Sequence, residues 1–310
     1  MTKRAAVDIG TNSVRLLVAE VEGQGRSASV HTLDRRMRIT QLGQGVNTAR
    51  VLAPEAVQRT ITVLEEYGAA LAAAGVVAVR ATATSAARDA ANREEFFDAA
   101  EAALGTRPEL LSGIDEARMS FLGATADLDE SAAPGPYLVT DLGGGSTEFA
   151  YGSTEPLAQC SVDMGCVRIT ELFLDSDPPA PEELSNALSV VRDHLADVER
   201  ALPELRDATT LVGLAGTVSA AAAIEQGLAS YDRDRIHHFR LSKAAAEDVF
   251  RTLALEPARQ RALNPGLEPG RVTTIVGGMI VLVAILRTFG FEEMLVSEAD
   301  SLDGLVRSIT

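Results

Sequence analysis

Asp8-Ile-Gly-Thr-Asn-Ser13 and Asp141-Leu-Gly-Gly-Gly-Ser146 are the two stretches whose reading decides the fold of this 310-residue chain. Each is flanked by apolar runs, residues 5–8 and 14–21 around the first, 137–140 and 147–151 around the second. Apolar run, Gly-rich turn, apolar run is the pattern of a β-hairpin with its polar residues at the tip. Aligning Asp8 with Asp141 also places Gly10 on Gly143, Ser13 on Ser146 and Leu17 on Ala150, so one offset covers both hairpins. A Gly/Ser turn after a buried strand presents successive N–H groups to one concavity, which suits phosphate oxygens. An Asp at the strand end adds a carboxylate for Mg²⁺ or its water. A single such turn is an ordinary hairpin tip; two of them suit a protein that grips phosphates with both of its halves.

Outward from the first turn, residues 30–39 read as a strand. Pro54 then opens a helical pattern that runs to Ala74, where Gly75 ends it. Residues 76–81, apolar but for Arg80, read as a central strand covered on both faces, and its end delivers Thr82, Thr84, Ser85 and Arg88. Helical patterns follow over 93–104 and 115–128. The second is entered through Ser112-Gly-Ile-Asp115, a capping-box pattern that puts Glu116 in a first helical turn. The breaker-rich Asp129-Glu-Ser-Ala-Ala-Pro-Gly-Pro136 marks the passage to the second half. There the reading is a helix over 182–202, a strand over 210–214 feeding Ala215-Gly216-Thr217, a strand over 294–297 and a closing helix over 302–309 that returns to the first lobe. The expected domains are 1–125 with about 298–310, and 126–297.

Composition narrows the function. A net charge of −16 opposes a general nucleic-acid or membrane-surface binder, which needs a broad basic field. Phosphate must then be handled by local devices: backbone amides, a few arginines and a divalent cation. Only Lys3 and Lys243 are lysines, and the arginines offer forked donors suited to phosphate oxygens. Cys160 and Cys166 have neither metal spacing nor a CxxC pattern and read as reduced thiols of a cytoplasmic protein. The apolar run 272–286 is shorter than a spanning helix and contains Gly277 and Gly278, so it reads as a buried core helix.

Glu148 lies two residues past Ser146 on the outgoing strand and so shares its face. Arg88 follows the central strand, where open α/β sheets bind ligands. His237 and His238, read as neighbours on a strand, face opposite ways and count as structural.

With those residues in hand, the chain resembles the exopolyphosphatase/guanosine pentaphosphate phosphohydrolase family of the actin-like superfamily. The motifs are Val7-Asp-Ile-Gly-Thr-Asn-Ser13, Gln41-Leu-Gly-Gln-Gly-Val46, Ala81-Thr-Ala-Thr-Ser-Ala-Ala-Arg-Asp-Ala-Ala-Asn92, Ser112-Gly-Ile-Asp-Glu-Ala-Arg118, Asp141-Leu-Gly-Gly-Gly-Ser-Thr-Glu148 and Gly213-Leu-Ala-Gly-Thr217. The resemblance implies two α/β actin-like (ribonuclease H-like) lobes with mixed sheets, flanking helices and an interdomain cleft. It implies Glu116, Glu148 and Arg88 in catalysis, with Asn12, Ser13, Thr84, Gly143, Gly144, Gly145 and Ser146 on substrate phosphates. Asp141, Glu148 and Asp8 would hold Mg²⁺ or Mn²⁺. A homodimer of the short, two-lobed form is expected. One departure stands at Gly270-Arg-Val-Thr-Thr-Ile275, where the family usually has Arg-Ala-Asp.

The implied reaction is Mg²⁺-dependent hydrolysis of the terminal phosphoanhydride of inorganic polyphosphate, with guanosine pentaphosphate as a further substrate. Two rivals differ in what they require. A kinase or ATPase of the same superfamily would use Gly213 to Thr217 for ATP and transfer to an acceptor. A non-catalytic guanosine tetra- or pentaphosphate sensor would bind without turnover.

Overall fold

The computed structural model describes residues 2–309. The chain divides into two compact units, one of residues up to Ala126 together with those from Asp300, the other Asp127–Ala299.

In the first unit, β1 (Thr2–Ile9), β2 (Ser13–Glu22) and β3 (Ser29–Ile39) form an antiparallel meander, and β4 (Ala78–Ala83) and β5 (Glu109–Leu110) add parallel to β1. The sheet order is β3-β2-β1-β4-β5. Alternation along the strands sends residues to opposite faces. Val7, Ile9, Leu16 and Val18 join Leu64, Tyr67 and Leu71 of helix Pro54–Ala74 and Phe96 and Phe97 of helix Arg93–Leu104. Ala6, Leu17, Ala19 and Val21 pack under helices Gly113–Thr125 and Ser301–Ser308. Those two helices meet backbone to backbone: a Cβ on Gly123 would strike the Asp300 carbonyl, and one on Gly304 the Met119 carbonyl. The last helix thus locks the helix that carries Glu116.

The second unit repeats the plan with additions. Strands β6 (Tyr137–Leu142), β7 (Thr147–Gly152) and β8 (Pro156–Val162) are an antiparallel meander, and β9 (Thr210–Leu214) lies parallel to β6. Strands β10 (Arg240–Ser242) and β11 (Glu293–Val296) extend the sheet to the order β10-β11-β9-β6-β7-β8. The expectation of two α/β units with mixed sheets flanked by helices is met. Helix Ile275–Phe289, buried throughout from Ile275 to Leu286, is the centre of this core. Its two glycines admit neighbours: a Cβ on Gly277 would strike Thr170 and Cys166, and one on Gly278 would strike Thr217. No helix among the described residues is long and apolar enough to cross a membrane.

Candidate active site

Both glycine turns are folded by the same device. A trans peptide unit points its C=O and its N–H in opposite directions, so fixing a carbonyl fixes the next residue's amide. The only cis bonds among the described residues are Gly135–Pro136 and Asp177–Pro178, away from either turn. In the first turn the Thr11 carbonyl accepts from Gly43 N–H at 2.8 Å, and the Asn12 carbonyl accepts from Thr40 and Gln41 N–H at 3.0 and 2.9 Å. The amides of Asn12 and Ser13 therefore point away from that loop. The Gln41-Leu-Gly43 stretch is its brace: Gln41 takes a φ of 53°, and a Cβ on Gly43 would collide with Thr11.

In the second turn the brace is the start of helix Cys166–Phe173. Cys166 N–H bonds the Gly143 carbonyl at 3.0 Å, Val167 and Arg168 N–H bond that of Gly144 at 2.8 and 3.2 Å, and Arg168 Nε bonds that of Gly145 at 2.8 Å. Three consecutive carbonyls turn one way, so the amides of Gly144, Gly145 and Ser146 turn the other, which is an anion nest. A Cβ on Gly165 would strike the Gly144 carbonyl, so only glycine permits the approach. Neither Gly165 nor Arg168 stands out in the sequence, because the contact is made across a sharp chain reversal rather than within a periodic element.

The acidic residues part ways. Asp8 faces Arg15 across β1 and β2, and Arg15 donates to its Oδ2 from Nε at 3.1 Å and Nη2 at 2.5 Å. Arg15 also bonds Asp300 and Ser301. The other Asp8 oxygen has Thr82 Oγ1 at 3.4 Å. At the matching register Asp141 faces Glu148 across β6 and β7, and both are buried, 6% and 1% exposed. Glu148 Oε1 accepts from Ser161 at 2.7 Å. Its charge, after burial, helps push the nearby Cys160 thiol up to about 12. Arg15 and Glu148 thus occupy equivalent positions in the two hairpins, a fact contained in the offset that the sequence reading did not extract.

Near the first turn, Asn12 is 7% exposed, and among the described residues its Oδ1 and Nδ2 have no hydrogen-bond partner. A buried amide left so costs several kcal/mol unless a ligand or water completes it. Ser13 opens β2, and Thr84, 5% exposed, donates its N–H to the Ile9 carbonyl at 3.2 Å. Arg88, in helix Ser85–Asp89, reaches Glu116 Oε2 at 3.1 Å and the Leu111 carbonyl at 2.8 Å, both through Nη1. Glu116 lies in the first turn of its helix, where Ser112 Oγ accepts from Asp115 N–H. The arginine expected on phosphate is therefore also the partner of the expected catalytic carboxylate.

The chemistry of Asp141 and Glu148 fits a hard divalent cation. Mg²⁺ is commonly held by one or two carboxylates, with water and substrate phosphates completing its shell. Among the described residues neither glycine-turn carboxylate belongs to a group of three ligand atoms lying within 4.8 Å of one another.

That spacing is met among the described residues only by Asp127, His237 and His238. The imidazoles do not face opposite ways as expected of a strand. They follow a short helix, His238 has a φ of 63°, and the ring centroids are 3.8 Å apart. Yet His237 Nδ1 accepts the Glu298 N–H at 3.0 Å, which puts the ring proton on Nε2, 3.2 Å from Asp127 Oδ2. A metal-bound histidine shows the opposite polarity, donating from its outer nitrogen. The cluster reads as a structural clasp.

The turn Gly213 to Thr217, which an ATP reading needs, carries Ala215 at a φ of 72°, and the Arg271 guanidinium lies so close to Gly216 that a Cβ there would collide with it. At the departure from the family pattern, Thr273 is exposed, and Thr274 precedes helix Ile275–Phe289 without capping it through its side chain.

A model of the Ppx/GppA phosphatase family matches residues 17–310. The chain belongs to that family. It is 42% identical to exopolyphosphatase 2 of Mycobacterium tuberculosis, over 100% of this chain and 99% of that protein. Among solved structures, an Aquifex aeolicus PPX-GPPA enzyme is 30% identical with a TM-score of 0.82, covering 99% of both chains. An exopolyphosphatase from Cytophaga hutchinsonii is 25% identical with a TM-score of 0.86, covering 98% of this chain and 96% of that one. As a Ppx/GppA protein the chain is an enzyme, a phosphatase.

Proposed function

We propose that this protein is an exopolyphosphatase, hydrolysing the terminal phosphoanhydride of inorganic polyphosphate with Mg²⁺ (or Mn²⁺) and releasing orthophosphate. The observation that carries the reading is the buried Asp141–Glu148 pair beside three aligned amides. Two carboxylates opposed across a strand pair repel each other, and a bound cation converts that repulsion into a binding site. When bound, Mg²⁺ neutralises phosphate charge next to the bond that breaks. In the second turn the amides of Gly144, Gly145 and Ser146 suit phosphate oxygens; in the first those of Asn12 and Ser13 do, and a phosphate there would give the Asn12 side chain partners. Thr84 contributes a further phosphate contact at the end of β4. Glu116 and Glu148 are the two candidate acids for orienting the attacking water and accepting its proton. Arg88 pairs with Glu116 and is the arginine candidate for phosphate. Asp8, neutralised by Arg15, organises the first turn, and only its Oδ1 is left to face a cation.

Guanosine pentaphosphate, which ends in a like phosphoanhydride, is the second substrate to try. The test is phosphate release from polyphosphates of graded length and from guanosine pentaphosphate, with Mg²⁺, Mn²⁺ or EDTA. Release from polyphosphate that needs the cation is expected; turnover requiring an acceptor, or tight nucleotide binding without turnover, overturns the reading. We also expect a cytoplasmic homodimer, which fractionation and sedimentation test.

A further inference from the structure

We propose that Arg168 is a positioning residue for phosphate binding: it sets the direction in which Ser146 presents its backbone N–H. The inference rests on the reading that the second glycine turn holds substrate phosphate.

The three peptide units of the nest are not secured alike. Gly143–Gly144 and Gly144–Gly145 are held through backbone amides of Cys166, Val167 and Arg168, which no side-chain substitution removes. The third unit, Gly145–Ser146, is held at its carbonyl by the Arg168 side chain, Nε to oxygen at 2.8 Å. Carbonyl and amide of one unit are antiparallel, so this bond aims the Ser146 N–H with its two neighbours. Arg168 is suited to the task. It is 8% exposed, its planar fork does not rotate about Nε as an ammonium would, and Asp163 Oδ1 lies 3.6 Å from Nη2 and steadies the outer edge. A cation drawing on the carbonyl also polarises the peptide and makes the Ser146 N–H a stronger donor. In a chain of net charge −16, that places positive charge behind the nest without exposing it.

The role differs from that of Arg88, which pairs with the candidate catalytic carboxylate. Arg168 acts on substrate only through the backbone, so its loss should change how phosphate is gripped and leave proton transfer alone.

The experiment is amide NMR of the full chain titrated with tripolyphosphate in EDTA, on wild type, Arg168→Met and Asp163→Asn, beside phosphate-release kinetics with Mg²⁺. In wild type the amides of Gly144, Gly145 and Ser146 should all shift. In Arg168→Met the Ser146 shift should be lost while those of Gly144 and Gly145 persist, with KM raised about tenfold, the size of one charge-assisted hydrogen bond, and kcat changed less. Asp163→Asn should stay within about twofold of wild type, since it leaves the bond to Gly145. If none of the three amides shifts in wild type, the phosphate reading of the turn fails and takes the proposal with it. If all three shift equally in wild type and Arg168→Met, the proposal alone fails. An Asp163→Asn that reproduces the arginine's loss overturns it as well, by moving the role to the ion pair. Should Arg168→Met not fold, Arg168→Lys keeps the stem without the fork and is expected to show the same selective change at Ser146.

Discussion

The two glycine turns share strand order, register and the trick of turning carbonyls into a brace, yet they differ at one pair of positions. Where the first hairpin opposes Asp8 with Arg15, the second opposes Asp141 with Glu148. The first acid is satisfied from within, by an arginine that also holds Asp300 of the returning chain. The second sets two buried acids opposite each other, with Ser161 donating to Glu148. One duplicated element thus carries an internal ion pair in one unit and an acid pair in the other, and the braces differ too: two aligned amides in the first turn, three in the second.

The comparison breaks most readily at Glu148. Glu148→Gln should lower kcat/KM for polyphosphate by about a thousandfold or more, whereas Arg15→Gln at the equivalent position should leave easily measured turnover. Similar losses in the two would erase the distinction. Glu116→Gln should cost about a hundred- to a thousandfold in kcat with an unchanged melting temperature, and near-wild-type release would remove Glu116 from the mechanism.

Stability sharpens the contrast because the expected signs are opposite. Arg15→Met takes from buried Asp8 its charged partner and from Asp300 one of its two arginines, and should destabilise the fold by about 3 kcal/mol in denaturant titration. Glu148→Gln in EDTA should stabilise by about 1 kcal/mol by relieving the acidic pair. Mg²⁺ should then raise the melting temperature of wild type and not of that variant. A destabilised Glu148→Gln would mean that the pair is already balanced from within. The smallest effect concerns Cys160, whose thiol is pushed up to about 12 by burial and then by the Glu148 charge. Its thiolate is scarce at pH 8, so iodoacetamide should label it slowly, and label it faster in Glu148→Gln as the second cause is removed.

Local signals account for what the sequence disclosed. Helices Pro54–Ala74 and Arg93–Leu104 lie where the pattern put them, and each ends at a left-handed glycine, Gly75 and Gly105. The central strand, expected over 76–81, is Ala78–Ala83, because its bounds are set by pairing with β1, where Ala83 meets Ile9. Strand β8, the short β10 and helix Cys166–Phe173 escaped notice, having neither strong alternation nor a capping signature. The second turn's brace was hidden with them. The site acids were legible as residues at strand ends and in a first helical turn. Their pairing was not, since whether an acid meets an arginine or another acid depends on which strand lies opposite.

Helix Ser301–Ser308 makes the order of synthesis matter. The second unit is one continuous stretch and has all its strands once β11 is made, but the first must wait, its sheet face of Ala6, Leu17, Ala19 and Val21 covered only in part, by helix Gly113–Thr125, and that helix not yet locked. At ribosomal speed that interval lasts on the order of ten seconds. Until residues 301–308 emerge, the nascent first unit therefore carries a half-covered apolar face, the kind of surface that a chaperone covers.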